Sequence, residues 1–223
     1  NIDLMHGLPG QSVESAIEDL KIAVDNAPTH ISWYQLTIEP NTYFYSYPPN
    51  LPEDIILHTI YERGIEVLES NGYSQYEVSA FAQKSKNSSH NCNYWNFGDY
   101  IGIGAGAHGK LTMPIDNKLV RSKKLKQPNN YMNKVQSEVT QLNEILIEER
   151  TVEFLMNALR LRRGFSRHLF EKRTGIEFGE ISKKLTTLIE NELIQIKNIN
   201  GESFYSATRT GYRFLDTLLG EFL

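Results

Sequence analysis

"NIDLMHGLPGQSVESAIEDLKIAVDNAPTHISWYQLTIEP", residues 1–40, predicts a strand, a helix and a second strand joined by short loops. Gly7 and Gly10 interrupt the first apolar run and end the first strand. Residues 13–24 then place apolar side chains at helical spacing, and residues 31–40 form an apolar, strand-like run. Strands in such a unit run parallel in a sheet that helices cover. The stretch therefore predicts an α/β fold.

Two details of this stretch give further expectations. Ser12 is positioned to cap the helix, but Ser15 stands where a capping box has Glu or Gln, so we expect no box. A buried parallel strand rarely begins at the second residue of a complete sheet, so we expect a fragment or a shortened member of a longer family. Residues 2–5 would then form an open sheet edge, which favours self-association or cover by another segment.

The rest of the chain predicts a helical domain behind a loop-rich middle. Prolines give residues 39–54 an extended path, and Asn200-Gly201 is the signal of a tight hairpin turn. We expect helices at 53–71, 148–164, 166–175, 180–193 and 209–223, a strand at 72–82 and a hairpin at 194–208. Three helices, a hairpin and a helix resemble a winged-helix arrangement. We expect an α/β part at 1–120, a polar linker at 121–143 and the helical domain at 144–223.

The composition excludes several classes of protein. The net charge of −4 gives no general attraction to nucleic acid. Residues 150–223 hold 12 basic and 9 acidic residues, too small an excess for a DNA-binding surface. A single cysteine cannot form an internal disulfide, which is typical of a reducing compartment and favours the cytoplasm. No apolar run approaches the roughly 20 residues of a membrane span.

A run of small residues, "GAGAHGK" at 104–110, matches two phosphate-binding patterns, G-x-G-x-x-G and G-x-x-x-x-G-K. Leu111 replaces the Ser or Thr that a P-loop needs, and no helical pattern follows. We therefore expect no nucleotide site here, but a backbone that lets a bulky group approach closely. His108 is interpreted as a structural, hydrogen-bonding residue.

The stretch "HNCNYW", residues 90–95, combines His90, Cys92, Tyr94 and Trp95. Imidazole is a common ligand of haem iron, and aromatic rings stack on a planar macrocycle. The alternative is that Tyr94 and Trp95 anchor a loop while His90 makes an ordinary hydrogen bond. The residues alone favour this alternative over haem binding. Cys92 and His90 could be two ligands of a zinc ion, but the sequence has no second pair of ligands at the spacing that a zinc site needs.

Four stretches carry a resemblance to a known family: "NIDLMHGLPGQ", "SWYQLTIEPNT", "HNCNYWNFGDYIGIGAGAHGK" and "LIEERTVEFLMNALRLRRG". They resemble, in chain order, the HemW-type haem chaperones of the oxygen-independent coproporphyrinogen oxidase-like branch of the radical SAM superfamily. The resemblance implies the later strands of a partial (βα) barrel, followed by a small helical, winged-helix-like domain. Longer members bind SAM and a 4Fe-4S cluster through a C-x-x-x-C-x-x-C loop, which this chain does not contain.

The resemblance also implies site residues. Asp3, Met5 and Thr37 match the SAM side of the barrel, where we expect all three near the C-terminal ends of strands. Residues His90, Asn91, Tyr94 and Trp95 match the H-N-x-x-Y-W stretch associated with haem, His90 as the iron ligand and the rings beside the macrocycle.

Three hypotheses of function follow from these observations. The first is a haem-binding and haem-transfer chaperone without its cluster-binding half, delivering haem to an acceptor such as a membrane respiratory protein. The second is a fragment of a coproporphyrinogen III oxidase of porphyrin biosynthesis. The third is a structural module without catalysis. With a single cysteine, the chain alone is expected not to be catalytic.

Overall fold

The structure is a computed structural model that describes residues 1–134 and 136–223. The chain forms two compact units, an N-terminal unit at Asn1–Ser88 and a C-terminal unit at Ser89–Leu223. Each unit has its own hydrophobic core.

The N-terminal unit contains, in chain order, β1 (Ile2–His6), α1 (Val13–Asp25), β2 (His30–Gln35), α2 (Tyr43–Ser46), α3 (Asp54–Ser70), β3 (Ser74–Glu77) and β4 (Ala80–Ala82). Its strands form one sheet in the order β1-β2-β4-β3. β1 and β2 run parallel, which confirms the expected strand–helix–strand unit, whereas β4 is antiparallel to β2 and β3. Among the described residues, β2 is the one neighbour of β1, so β1 is an edge strand.

Two expectations for this unit were wrong. The run 72–82 is a hairpin of β3 and β4 and not one strand, because the chain turns between Glu77 and Ala80. A capping box is present at α1: the Ser12 hydroxyl accepts from the Ser15 N–H at 3.2 Å, and the Ser15 hydroxyl accepts from the Ser12 N–H at 3.0 Å. A hydroxyl oxygen at the third helical position reaches the cap N–H as a Glu side chain would.

Helices α1 and α3 cover one face of this sheet. Trp33 is buried there, and a Cβ on Gly64 of α3 would collide with its ring, so glycine permits the close approach of helix and strand. Because side chains alternate along a strand, Asp3 and Met5 of β1 lie on the opposite face, and both are exposed.

The C-terminal unit contains, in chain order, α4 (Ser89–Trp95), β5 (His108–Met113), β6 (Lys118–Lys124), α5 (Pro128–Asn133), α6 (Gln136–Val139), β7 (Thr140–Ile145), α7 (Ile147–Ala158), β8 (Phe165–Ser166), α8 (Arg167–Thr174), α9 (Gly179–Glu190), β9 (Ile194–Ile199), β10 (Glu202–Ala207), α10 (Arg209–Arg213) and α11 (Leu215–Gly220).

The first sheet of this unit differs from the expected domain limits. β5, β6 and β7 form an antiparallel sheet, and together with α5 and α6 these strands give most of the segment expected as a linker, 121–143, regular structure. The division between the two units along the chain also follows Ser88 and does not fall near residue 120. β7 exposes four of its six residues, so the strand carries no apolar alternation that the sequence could reveal.

The second sheet, in the order β8-β10-β9, packs with α7, α8 and α9. Phe154 is central to this core, and its ring centroid lies 5.2 Å from that of Phe165 and 5.3 Å from that of Phe170. The three helices and the β9–β10 hairpin agree with expectation. The closing helix does not, because it breaks at Phe214 into α10 and α11. Among the described residues, no helix has the length and apolar character needed to cross a membrane.

Candidate functional site

The "HNCNYW" stretch forms the short helix α4 and is not a loop. His90 is exposed, and Tyr94 follows one helical turn later on the same face. Asn91 and Trp95 are related by the same spacing, and both are half-buried. The structure therefore brings the four residues expected to bind haem together on seven residues of helix.

Aromatic rings extend the site beyond α4. The Tyr94 ring meets Trp95 edge-on, with centroids 4.8 Å apart, and lies 5.1 Å from the Tyr100 ring. Burial, together with the neighbouring Tyr94, raises the pKa of the Tyr100 hydroxyl, while Arg121 opposes this shift. Arg121 also forms an ion pair with Glu153. Neither Tyr100 nor Arg121 was expected at this site from the sequence. Arg121 belongs to β6, which is distant from α4 along the chain.

The side chain of Arg160 lies over the ring of Trp95. Its guanidinium carbon lies 4.5 Å from the centroid of the Trp95 ring, within the range of a cation–π contact. The Trp95 indole N–H is buried and finds no acceptor among the described residues. Arg160 follows α7 in the run "LRLRRG", whose arginines are the one sequence signal that could have indicated a cationic site.

A buried lysine holds the segment after α4. Lys110 donates to Asp99 Oδ1 and to the Phe97 carbonyl, each at 3.1 Å, and it is 1% exposed. Burial lowers the pKa of Lys110, which the bond to Asp99 opposes. Burial works against the Asp99 charge, yet bonds from Thr112 and Lys110 outweigh it and lower the pKa of Asp99. The lysine of the apparent P-loop pattern is therefore a structural anchor.

The glycines near α4 mostly serve the chain's own backbone. A Cβ on Gly98 would collide with Asn93, and one on Gly102 would collide with the backbone of His108. Gly104 and Gly106 adopt positive φ values of 100° and 73°. The close approach is thus made by the protein itself, by Asn93 at Gly98 and by the His108 backbone at Gly102. His108 itself is exposed at the start of β5.

The residues expected on the SAM side lie in the N-terminal unit. Asp3 is the second residue of β1, so the expectation that it lies towards the C-terminal end of its strand was wrong. Hydrogen bonds from Ser32 and Asn1 lower the pKa of Asp3. Met5 is 44% exposed near the end of β1. Thr37 follows β2 and donates to Glu39 at 3.3 Å, so Met5 and Thr37 do lie at strand ends.

Two histidines that the sequence analysis did not select lie in the N-terminal unit. His30 contacts Asn1 Oδ1 through Nδ1 at 2.6 Å and the Tyr76 hydroxyl through Nε2 at 2.8 Å. His6 is 2% exposed, and its ring centroid lies 4.2 Å from that of Trp33. Histidines within apolar strands could have signalled such buried polar contacts.

Other potential sites contain none of the expected residues. An open cleft of about 490 Å³ lies at the start of α1, lined by residues 10–14, 50–52 and Ile56. Among the described residues, no group of three or more His, Cys, Asp or Glu side chains could hold a metal ion. Cys92 forms no disulfide, and one thiol does not fit a 4Fe-4S cluster held by three or four thiolates.

Comparisons with known proteins show which proteins this chain resembles. The model of the HemN C-terminal domain matches residues 147–213. Heme chaperone HemW of Haemophilus influenzae is 42% identical over 230 residues, covering 100% of this chain and 56% of that protein. Heme chaperone HemW of Escherichia coli is 43% identical over 223 residues, covering 100% of this chain and 57% of that protein.

A solved structure supports the fold. Coproporphyrinogen III oxidase (HemN) from Escherichia coli, a radical SAM enzyme, superposes with a TM-score of 0.72 at 18% identity. The match covers 100% of this chain and 54% of that one. The chain therefore has the mixed α/β fold of part of that enzyme, and it spans a little over half the length of the curated relatives that it matches.

Proposed function

Because the chain belongs to the HemW-type, coproporphyrinogen oxidase-like radical SAM family and matches the C-terminal part of its members, we propose that it binds haem and passes it to an acceptor protein. One observation carries the proposal. An exposed histidine, His90, stands one helical turn before an aromatic pair on the same short helix.

The chemistry of α4 fits a haem. His90 offers an imidazole nitrogen as a ligand to iron, and its exposure lets the imidazole approach a metal from solvent. Tyr94 and Trp95 supply apolar ring surface beside it. Arg160 covers part of the Trp95 ring, so the macrocycle would use the remaining ring surface. Haem supplies the iron, while the residues of this chain bind and orient it.

A chaperone accounts for the site better than an oxidase fragment does. Coproporphyrinogen III carries no metal, so an enzyme acting on it needs no axial ligand, whereas a carrier of haem does. A module without ligand leaves the exposed histidine and the unpaired indole N–H without a role. The acceptor is proposed to be a haem protein such as a membrane respiratory protein.

If this chain occupies the same place as the matching part of its longer relatives, Asp3, Met5 and Thr37 lie on the SAM side of the barrel. The exposed sheet face that carries Asp3 and Met5 supports this, since helices cover the other face. Three or more thiolates are needed for the cluster, and this chain has one cysteine. The residues present do not fit the cluster, and the chain alone is proposed not to cleave SAM.

The remaining proposals concern architecture and partners. Residues 144–223 form a winged-helix-like packing domain, supported by three helices followed by a hairpin. It binds no nucleic acid, because its 12 basic residues are matched by 12 acidic ones. The open edge of β1 favours self-association or cover by another segment. The protein acts in the cytoplasm, as its single cysteine suggests.

A haem titration of the purified chain tests the proposal. We expect the Soret band of haem to shift when the chain binds it. His90→Ala should change this shift and weaken haem affinity, about tenfold for each ~1.4 kcal/mol of binding free energy lost. Trp95→Ala should weaken affinity and leave the ligation spectrum largely unchanged, because the ring supplies contact area and not the iron ligand.

His108→Ala is the matched control, since this histidine is also exposed and belongs to the same unit. If His108→Ala loses affinity and spectrum while His90→Ala keeps both, the ligand is His108. If neither variant changes haem binding, α4 is structural and the proposal fails.

A further inference from the structure

One lysine of β6 has no partner within the protein. The strand carries three lysines. Lys118 forms an ion pair with Glu144, and Lys124 donates to the Thr140 hydroxyl at 2.9 Å. Among the residues that the structure describes, none forms a hydrogen bond or an ion pair with Lys123. Most exposed lysines simply face water, so the position of Lys123 has to show whether a ligand can use its charge.

The strand register places Lys123 in an open row that contains no carboxylate. It lies opposite His108 of β5 and Gln141 of β7, and all three residues are exposed. The side chains across the sheet therefore do not neutralise the ammonium. Because the row is open to solvent, an anion can approach Lys123 without displacing any other part of the chain.

The same face of this sheet carries residues that contact α4. Tyr100, Lys110 and Arg121 stand side by side in one cross-strand row. The Tyr100 ring lies 5.1 Å from the ring of Tyr94 in α4. Because side chains alternate along a strand, Arg121 and Lys123 lie on one face of β6, roughly 7 Å apart along the strand. Lys123 is thus one row of the sheet beyond the residues that contact the proposed haem site.

We infer that Lys123 binds a carboxylate of haem while His90 ligates the iron. The inference rests on the function proposed above and names Lys123 as a residue that selects for the free acid of the macrocycle. The carboxylates of haem project from its rim, away from the iron, so one of them reaches the neighbouring row while the ring lies against Tyr94. The Lys123 ammonium donates to a carboxylate oxygen. Arg121 does not take this role, because its charge pairs with Glu153.

The test compares haem with haem dimethyl ester, in which both carboxylates are blocked, by Soret titration in the same solvent. The ester is also more apolar, so the decisive quantity is the change in the ratio of the two affinities when Lys123 is replaced. We expect Lys123→Met to lower the preference for haem about three- to fivefold, the range of an exposed ion pair. The Soret position should not change, because His90 still ligates the iron. Lys123→Glu should lower the preference further, about tenfold, because it repels the carboxylate.

Two lysines of the same strand are matched controls. Lys124→Met removes the same charge one residue away, on the opposite face of the sheet. Lys118→Met removes a lysine whose charge already pairs with Glu144. Both variants should keep the preference of the unaltered chain. If either lowers it as much as Lys123→Met does, the basic surface attracts haem in general and the specific carboxylate site is overturned.

Metal-free protoporphyrin IX and its dimethyl ester, titrated by porphyrin fluorescence, separate the carboxylate from the iron. Lys123→Met should lower the preference for the diacid here as well, and it should do so in the His90→Ala variant too. If haem binds through His90 but Lys123→Met leaves the affinity ratio unchanged, the carboxylate site is overturned and the haem function stands. If neither haem nor porphyrin binds, the proposed function and the inference both fail.

Discussion

At the scale of single residues, burial decides which histidines can act as ligands. His90 is exposed on α4, whereas His6 is 2% exposed against Trp33, with its Nδ1 finding no partner among the described residues. Burial lowers the pKa of His6 to about 4, so its ring is neutral near pH 7 and packs as part of the core.

His6 therefore makes stability depend on pH. Between its folded pKa of about 4 and its ordinary value of 6.5, the unfolded chain binds more protons, so stability falls as the pH falls through this window. We expect about 2 kcal/mol to be lost between pH 7 and pH 4.5 from this group. Urea unfolding at both pH values measures the loss.

His6→Phe should reduce that pH dependence, because it removes the titrating ring and keeps an aromatic side chain. His168→Phe, at an exposed position on α8, serves as its control and should leave the dependence unchanged. A slope that His6→Phe does not change would contradict the role of His6.

At the scale of elements, α4 depends on contacts beyond its own sequence. A helix of seven residues is too short to be stable alone in water. The Lys110–Asp99 ion pair and the bond from Lys110 to the Phe97 carbonyl fix the chain just after it. The geometry of the proposed haem site therefore rests on a lysine in β5.

Lys110→Met should destabilise the C-terminal unit by about 2 kcal/mol, because it leaves a partly buried carboxylate and a carbonyl without their donor. Chemical unfolding measures the change, and haem affinity should fall with it as α4 loses its anchor. Lys118→Met breaks the more exposed pair with Glu144 and should change little.

A double variant, Lys110→Met with Asp99→Asn, should recover part of the lost stability, since it removes the unpaired charge. Equal effects of Lys110→Met and Lys118→Met on unfolding would show that the buried pair does not anchor α4.

At the scale of the whole molecule, the two units have separate cores and carry different parts of the expected chemistry. The N-terminal unit holds Asp3, Met5 and Thr37, and the C-terminal unit holds α4 with the only cysteine, Cys92. Haem needs one axial histidine, which the chain has, whereas a 4Fe-4S cluster needs several thiolates. The proposed haem binding therefore does not require the cluster.

Anaerobic reconstitution with iron and sulfide should yield no stoichiometric 4Fe-4S cluster on this chain, because Cys92 is its only thiol. Iron and sulfide analysis measures the outcome. Cys92→Ser is the control and should give the same low background. A stoichiometric, SAM-responsive cluster would contradict the prediction.

The sequence by itself determined the elements whose signal is local. The alternation of strand, helix and strand in residues 1–40, the helices α7, α8 and α9 and the Asn200-Gly201 turn all follow from hydrophobic period and turn chemistry. Residues four apart on a helix share a face, so the neighbourhood of His90 and Tyr94 was also predictable.

Only the tertiary structure decided how distant residues meet. Arg160 and Trp95 are 65 positions apart, and no local pattern links them. Parts of the polar strands β6 and β7 fall within the segment expected as a linker, 121–143, because each strand buries only one residue and its sequence shows no apolar alternation. The hydrophobic period of a segment shows which of its own residues are buried. A site depends on which distant residues the fold places beside one another, and the whole chain determines that placement.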